Sequence, residues 1–332
     1  MRVTRNTKTM KLKKNKFVKT LLFTSIISLF YSCEEESSET LNTISTTSPT
    51  IQHETFPFTQ NVFNGERTSI TYNGNEIEVE KADDLFVLEG DIIIQPDSEV
   101  QNNTFSSKGT SVGRTTGRWD NNTVYYTIDN DLNNPTRVLD AIQHWEENTS
   151  IIFLERTSNQ VTDYVTFTTG TGCSSYVGKI GGQQFVYLAD ACTTGNTIHE
   201  IGHVIGLWHE QSRKDRDEFI IIHYDNIAVG TEHNFQTYEE QLSDGEEYTD
   251  FFDFESIMMY HPFSFSDNNL PTITTIDGRI DYGYQATHLS EGDLIGINNM
   301  YPEIKSEGTN IREIKNPSFS QKRVYKLSLI HI

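Results

Sequence analysis

Three histidines, one glutamate and two glycines within eleven residues constrain this fold more than any other feature of the chain. They stand in the run His199-Glu200-Ile-Gly-His203-Val-Ile-Gly206-Leu-Trp-His209. Residues four apart lie one above the other on an α-helix, so His199 and His203 present their imidazoles to one point, beside Glu200. Gly206 can take the left-handed conformation that ends a helix, which lets His209 reach back. The run therefore predicts a helix, a glycine turn and three imidazoles around one centre.

Three imidazoles around one point indicate a catalytic zinc ion rather than a structural one. A structural site is normally closed by four protein ligands, whereas three nitrogens leave one position for water. Zinc lowers the pKa of that water to about 7, and Glu200 can take its proton as it attacks a polarised amide carbonyl. Five specified positions match by accident in roughly one such chain in ten thousand, so a satisfied structural motif is disfavoured.

The residues that follow this run resemble those of the astacin-type metzincin metallopeptidases. The resemblance covers about residues 113–302 and implies one catalytic zinc ion (Zn2+) as cofactor. It also implies an α+β metzincin fold, in which a mixed, twisted sheet and two main helices form two lobes that flank an active-site cleft. It rests on His209-Glu210-Gln-Ser-Arg213-Lys-Asp215-Arg216-Asp217, on Ser256-Ile-Met258-Met-Tyr260, and on Gly172-Cys173 with Cys192.

The same resemblance implies roles for single residues outside the histidine run. Met258 would be the Met-turn residue under the zinc site. Tyr260 would bind zinc at rest and swing away to stabilise the tetrahedral intermediate. Glu210 would pair with the N-terminal ammonium that trimming creates. Without the zinc motif before them, a Met and a Tyr in an apolar stretch would more often be ordinary core residues.

Two positions depart from the family pattern. Met259 stands where the family usually has a histidine, and Ser150 stands where the first cysteine of a second, long disulfide is expected. Zinc binding should survive both changes. The missing cross-link removes one constraint between the two lobes.

A motif upstream predicts latency. Leu88-Glu-Gly90-Asp91 resembles the Phe-x-Gly-Asp motif of astacin propeptides, in which the Asp carboxylate occupies the open zinc position and displaces the water. Asp91 is then a zymogen latch; the alternative is an ordinary turn aspartate after a glycine. Counting back from Trp119 by the resemblance places the mature N-terminus near residue 110, with Lys108 or Arg114 as the cleavage point for an activating protease.

The N-terminus indicates export. Residues 1–20 carry eight Lys and Arg and no acid, and an apolar run too short to span a bilayer follows at 21–31. Export exposes the chain to an oxidising compartment, so Cys173 and Cys192 are expected to form a disulfide worth about 3 kcal/mol. The alternative is two buried free thiols.

Cys33 is a candidate lipidation site. Leu29-Phe-Tyr-Ser-Cys33 resembles a bacterial lipobox, and Glu34-Glu-Glu36 resembles an acidic surface-export signal of lipoproteins. Either feature predicts a cell-surface or outer-membrane lipoprotein that touches the membrane only through this anchor. The alternative is a secreted protein whose plain signal is cut near Cys33.

Composition divides the chain and limits its partners. Beyond residue 20 there are 18 basic against 47 acidic residues, a net charge of −29, which opposes binding to nucleic acid or anionic lipid. The expected partners are polypeptide substrates in extended form, paired with an edge strand predicted at 181–188. The predicted segments are a signal peptide (1–32), a flexible tether (33–55), a propeptide (56–112), an astacin-like catalytic domain (113–302) and a C-terminal tail (303–332).

The leading hypothesis is therefore a zinc endopeptidase that hydrolyses extracellular proteins. Two alternatives share the metal. A catalytically silent, zinc-stabilised surface adhesin has no use for Glu200 beside an open coordination position. A zinc amidase acting on peptidoglycan is disfavoured by the astacin-like residues after His209.

Overall fold

The computed structural model describes residues 66–98 and 117–304, apart from residues 83, 242 and 284. The predicted signal peptide and tether lie outside these described residues, as do Cys33, Lys108, Arg114 and the predicted tail from residue 305 onward. Among the described residues, no helix is long and apolar enough to cross a membrane.

One mixed sheet of nine strands organises the described chain, with the order β1-β2-β3-β4-β8-β9-β7-β5-β6. Strands β5, β6, β7 and β9 pair in parallel, whereas β8 pairs antiparallel to β9. A separate pair, β10 (Ile220–Ile222) and β11 (Ile273–Thr275), lies later in the chain. The nine strands are β1 (Glu66–Tyr72), β2 (Asn75–Ala82), β3 (Leu85–Leu88), β4 (Ile92–Ile94), β5 (Thr123–Ile128), β6 (Ile152–Glu155), β7 (Tyr164–Thr169), β8 (Cys173–Tyr176) and β9 (Gln183–Leu188).

Two long helices and one short helix accompany the sheet. Helix α1 (Thr136–Asn148) begins directly after Pro135, whose fixed φ suits a helix start. Helix α2 (Thr194–Ile205) carries the first two histidines of the motif. Helix α3 (Glu291–Met300) begins with the capping box that the sequence predicts, in which the side chains of Ser290 and Asp293 each accept a hydrogen bond from the backbone of the other residue.

Two apolar cores are formed by residues after Gly117 among the described residues. The larger core packs α1 and α2 against the sheet, and the indole of Trp145 donates a hydrogen bond to the carbonyl of Ile198 across the helices. The second core contains Ile220, Phe235, Met259 and Phe265. Met259 is fully buried there, so the residue that replaces the usual histidine serves in packing.

Strands β1 to β4, which we call the N-terminal segment (residues 66–98), extend the sheet of the later domain. The register of β4 on β8 is parallel and pairs Ile92 with Ser175 and Ile93 with Tyr176. Apolar side chains of the segment pack on Trp208 and Val177 of the later domain. The segment therefore buries its apolar face against the domain that follows it.

The prediction that residues 181–188 form an edge strand is wrong, because the neighbouring strand β8 lies at the edge instead. The residues of β9 lie inside the sheet, between β8 and β7. Within the part of the chain after residue 117, β8 and β6 are the two edge strands of this sheet, and β4 covers β8. The sequence did not indicate β8 because Cys173-Ser-Ser-Tyr176 has little of the apolar, β-branched character typical of strands.

Two kinds of link tie the domain together. Cys173 and Cys192 form the predicted disulfide, which joins β8 to the loop before α2. At the position of the absent second disulfide, the hydroxyl of Ser150 donates to the carbonyl of Tyr301 at 2.5 Å. The end of α3 is therefore held to the start of β6 by a hydrogen bond in place of a covalent bond.

Candidate metal centre

The three motif histidines converge as the run predicts. Helix α2 is buried along nearly its whole length, and the Nε2 atoms of His199 and His203 lie 3.2 Å apart, one turn from each other. Gly206 ends the helix with a φ of 119°, a left-handed value that favours glycine. The chain then turns, and Nε2 of His209 lies 3.3 Å from Nε2 of His199.

Each histidine is oriented by a hydrogen bond at its other ring nitrogen. A donating Nδ1 fixes the tautomer in which Nε2 carries a lone pair, and all three Nε2 atoms face the same centre. The acceptors are the carbonyl of Ile257 for His199 at 2.7 Å, the carbonyl of Leu207 for His203 at 2.8 Å, and the carboxylate of Glu89 for His209 at 2.6 Å.

Asp91 of the N-terminal segment completes the centre. Its carboxylate oxygens lie between 3.3 and 3.5 Å from the three Nε2 atoms. All four ligand atoms lie within 4.8 Å of one another, and all four residues are buried. Oδ1 of Asp91 has no hydrogen-bond partner among the described residues. A buried carboxylate beside three imidazole lone pairs requires a cation, and this donor set fits zinc.

The pKa values of the cluster also show the need for a positive charge. Burial raises the pKa of Asp91, but the charge on His209 and the closeness of the three imidazole rings outweigh it and hold that pKa well below its usual range. Burial lowers the pKa of His203 to about 4. Burial also lowers the pKa of His209, but Asp91 and Glu89 outweigh it and raise that pKa to about 10. In the metal-free cluster a proton on His209 supplies the positive charge, and bound zinc would supply it in place of that proton.

Glu200 is fully buried beside the histidines. One of its carboxylate oxygens accepts a hydrogen bond from the hydroxyl of Ser175 at 2.8 Å, and the other has no hydrogen-bond partner among the described residues. Burial, and then repulsion from Asp91, raises the pKa of Glu200 well above its usual range. The carboxylate is held at one oxygen and open at the other, as a proton acceptor beside a metal site requires.

The loop at 256–260 lies against both the zinc helix and the third histidine. A Cβ atom at Gly202 would lie only 2.6 Å from Sδ of Met258, so α2 can rest on this methionine only because residue 202 is glycine. The ring of Tyr260 lies 4.8 Å from the ring of His209, and its hydroxyl donates to the carbonyl of Glu89 at 2.5 Å. The structure thus brings Met258 and Tyr260 to the metal centre.

Glu89 is a site residue that the sequence does not single out. Glu89 and Gly90 both have left-handed backbone, with φ of 51° and 80°, and their turn presents Asp91 to the histidines. The buried carboxylate of Glu89 accepts hydrogen bonds from Nδ1 of His209 and, at 2.7 Å, from Nε2 of Gln241. Residue 89 is the variable position of the upstream motif, so only the docked segment shows its contacts.

Glu210 faces a pocket next to the metal centre. Its Oε1 accepts hydrogen bonds from the Asp253 backbone N–H at 2.8 Å and from Nη1 of Arg213 at 3.2 Å. Burial raises the pKa of Glu210 to about 8 against the opposing charge of Arg213. Three carboxylates, those of Glu210, Asp253 and Asp293, line this pocket with the single cation Arg213.

The comparison with known families identifies the family of this chain. The family model Astacin, which describes a family of peptidases, matches residues 111–302, which include α2, the glycine turn and the loop at 256–260. The chain belongs to the astacin family. Astacins use one catalytic zinc ion, in agreement with the three histidines gathered here.

Curated relatives match more than half of the chain. Protein SpAN from Strongylocentrotus purpuratus is 40% identical over 195 residues, 55% of this chain and 31% of that protein. Flavastacin from Elizabethkingia meningoseptica is 37% identical over 201 residues, 57% of this chain and 43% of that protein. The chain thus spans less than half the length of either relative.

A solved astacin structure has the same fold. High choriolytic enzyme 1, a hatching enzyme zinc-protease from Oryzias latipes, matches with a TM-score of 0.50 and 28% sequence identity. The match covers 55% of this chain and 92% of that chain. The predicted α+β metzincin fold, with its mixed sheet and two main helices, is confirmed.

Proposed function

We propose that this astacin is a zinc-dependent endopeptidase made as a latent precursor. The observation that carries the proposal is the convergence of Asp91 with His199, His203 and His209 at one buried centre. Zinc held by the three histidines supplies Lewis-acid polarisation of a peptide carbonyl and a water molecule of lowered pKa. The N-terminal segment is then a prosegment, whose Asp91 takes the ligand position that catalysis requires.

The chain's own residues supply proton transfer and charge stabilisation. The open oxygen of Glu200 takes the proton of the attacking water and later delivers it to the leaving amine, while Ser175 holds the other oxygen. The hydroxyl of Tyr260 is bound to the carbonyl of Glu89 in the precursor. Once the prosegment leaves, this hydroxyl is available to donate to the carbonyl oxygen that becomes negative during attack.

Substrates are extended polypeptides in this proposal. The backbone edge of β8 is covered by β4 in the precursor, and removal of β4 leaves an unpaired strand edge next to Glu200. Such an edge recognises extended backbone by main-chain hydrogen bonds. Folded proteins would therefore be cut mainly in their loops.

Metal removal gives the direct test of the function. The full chain, cut between residues 98 and 117 and freed of the prosegment, should hydrolyse an unstructured polypeptide, whereas the uncut chain should be nearly inactive. A chelator should abolish the hydrolysis, and stoichiometric zinc should restore it, because three imidazoles without metal cannot polarise a carbonyl. Product analysis by mass spectrometry measures both effects. Hydrolysis that is indifferent to the chelator would rule out zinc catalysis.

The pocket at Glu210 is proposed to receive the new N-terminal ammonium after trimming. Its three carboxylates face one guanidinium, so one further cation would reduce the excess of negative charge in the pocket. The guanidinium of Arg118, which follows the predicted cleavage region, donates a hydrogen bond to the hydroxyl of Tyr248 at the pocket wall.

The length of the trimmed N-terminus tests this role of Glu210. A chain whose N-terminus lies two residues upstream of the correct one carries two extra residues. It should show several-fold lower kcat than the correctly trimmed chain, because its ammonium cannot reach Glu210. Zinc content should be equal in both. Equal kcat values would refute the ammonium role and would leave the Asp91 latch untouched.

The proposed location is outside the cytoplasm, on the cell surface or outer membrane through a lipid on Cys33, or else secreted. The Cys173–Cys192 disulfide supports an oxidising compartment. The mass of the native N-terminal peptide distinguishes the two forms, since a lipid anchor requires an acylated Cys33 at the terminus.

A further inference from the structure

One glutamate of the N-terminal segment is buried away from the metal centre. Glu80 on β2 is 7% exposed, although Glu76 and Glu78, which alternate with it along the same strand face, are exposed. Its Oε1 accepts a hydrogen bond from Nδ2 of Asn234 at 2.7 Å, and Nε2 of His233 lies 3.2 Å from the same oxygen. Burial of a carboxylate costs free energy unless hydrogen-bond donors or a positive charge compensate it. The donors around residue 80 therefore favour an acidic side chain at this position.

The positions of His233 and Asn234, which contact Glu80, are held by other residues of the catalytic domain. His233 and Asn234 lie on the single turn Glu232–Phe235 and are 4% and 0% exposed. The guanidinium of Arg216 holds this turn, since its Nη1 donates to the carbonyl of Phe235 at 2.5 Å and to the carbonyl of Gln211 at 3.1 Å. The donors that meet Glu80 are therefore positioned independently of the N-terminal segment.

The polar contact depends on the hydrogen bond from Asn234 and on the negative charge of the Glu80 carboxylate. Oε2 of Glu80, Oδ1 of Asn234 and both ring nitrogens of His233 lack hydrogen-bond partners among the described residues. A charge-assisted hydrogen bond is roughly twice as strong as a neutral one, so the loss of the carboxylate would remove most of the polar attraction. Apolar side chains of the segment also pack against Trp208.

We propose that His233 and Asn234 form a carboxylate-docking site for Glu80, which keeps the N-terminal segment bound after the chain has been cut. Neither residue belongs to the cluster of metal-binding side chains, so the docking site works without zinc, unlike the contact of Asp91. Release of the segment is then a step separate from cleavage. The inference concerns binding and does not rest on peptidase activity.

Dissociation of the segment from cut protein tests the proposal. The full chain carries a recognition sequence for a specific protease between residues 101 and 116, and a chelator removes any contribution of Asp91 through zinc. Size-exclusion chromatography and fluorescence anisotropy follow the labelled N-terminal fragment after the cut. The unchanged fragment and the Glu76→Ala fragment should stay bound. The Glu80→Ala fragment should dissociate about 10- to 100-fold faster, as expected for one lost charge-assisted hydrogen bond.

The second measurement exchanges the hydrogen-bond donor at residue 234 and the acceptor at residue 80. Asn234→Asp sets a second carboxylate against Glu80 and should release the fragment, whereas Asn234→Asp combined with Glu80→Gln should restore retention. The Glu80→Ala comparison leaves the catalytic domain unaltered, so it stands even where Asn234→Asp impairs folding. Immediate release of the unchanged fragment, equal rates for Glu76→Ala and Glu80→Ala, or a folded double variant without restored retention would each overturn the docking site.

Discussion

Glu200→Gln should lower kcat for peptide hydrolysis by about 10²- to 10⁴-fold in the trimmed protein, the usual contribution of a general base. The substitution keeps the size of the side chain and an oxygen that can accept from the Ser175 hydroxyl. It removes the proton-accepting oxygen that has no partner among the described residues. Zinc content and the free energy of unfolding should change little, because the three histidines and their Nδ1 hydrogen bonds remain.

Two control variants distinguish loss of the general base from loss of zinc and from a general effect of removing a carboxylate. His203→Ala should lose both activity and zinc, since two imidazoles cannot hold the metal. Glu147→Gln removes a carboxylate from the exposed side of α1 and should leave hydrolysis unchanged. Progress curves with one peptide, together with metal analysis, measure all three variants. A Glu200→Gln protein that hydrolyses peptide at a near-normal rate would refute the proposed mechanism.

Asp91→Ala should turn the silent precursor into one that is leaky or cuts itself. The carboxylate is the only group of the N-terminal segment placed within 3.5 Å of the three Nε2 atoms among the described residues, so its loss opens the metal. Strand β4 and Glu80 still hold the segment in the cleft, so activity should rise well above the precursor level and stay below that of the trimmed protein. Gel analysis of the purified precursor and a peptide assay follow the two effects.

Asp97 offers a matched control for the latch. It is a turn aspartate of the same segment, whose carboxylate accepts hydrogen bonds from the backbone N–H groups of Asn73 and Gly74. Asp97→Ala should cost about 1 kcal/mol of stability and leave the precursor silent. Asp91→Ala combined with Glu200→Gln should remain uncut, which separates self-cleavage from cleavage by other proteases. An Asp91→Ala precursor as silent as Asp97→Ala would show that Asp91 is only a turn residue.

The geometry of the metal centre follows from local rules that the sequence displays. The four-residue spacing of His199 and His203 and the glycine at 206 fix the helix, its end and the return of the chain. The capping box at Ser290 is equally local, because its two partners are three residues apart. Both features can be predicted without knowledge of any tertiary contact.

Contacts that join distant segments could not be predicted in the same way. Ser175 reaches Glu200 only because β8 is the edge strand, and a short, polar strand leaves no clear periodicity. Glu89 reaches His209 only because the N-terminal segment docks through a parallel pairing. Ser150 marks an absent cysteine in the sequence, but its hydrogen bond to Tyr301 depends on how the chain ends pack.

The cap of α3 connects the far end of the domain to a metal ligand. Asp293 accepts hydrogen bonds from the hydroxyl of Ser256 and the backbone N–H of Ile257, and the carbonyl of Ile257 accepts from Nδ1 of His199. A helix-capping residue therefore stands two hydrogen bonds from the zinc site. A chain shortened before α3 would lose the support that aims His199, so it would bind metal poorly even while its sheet stayed folded.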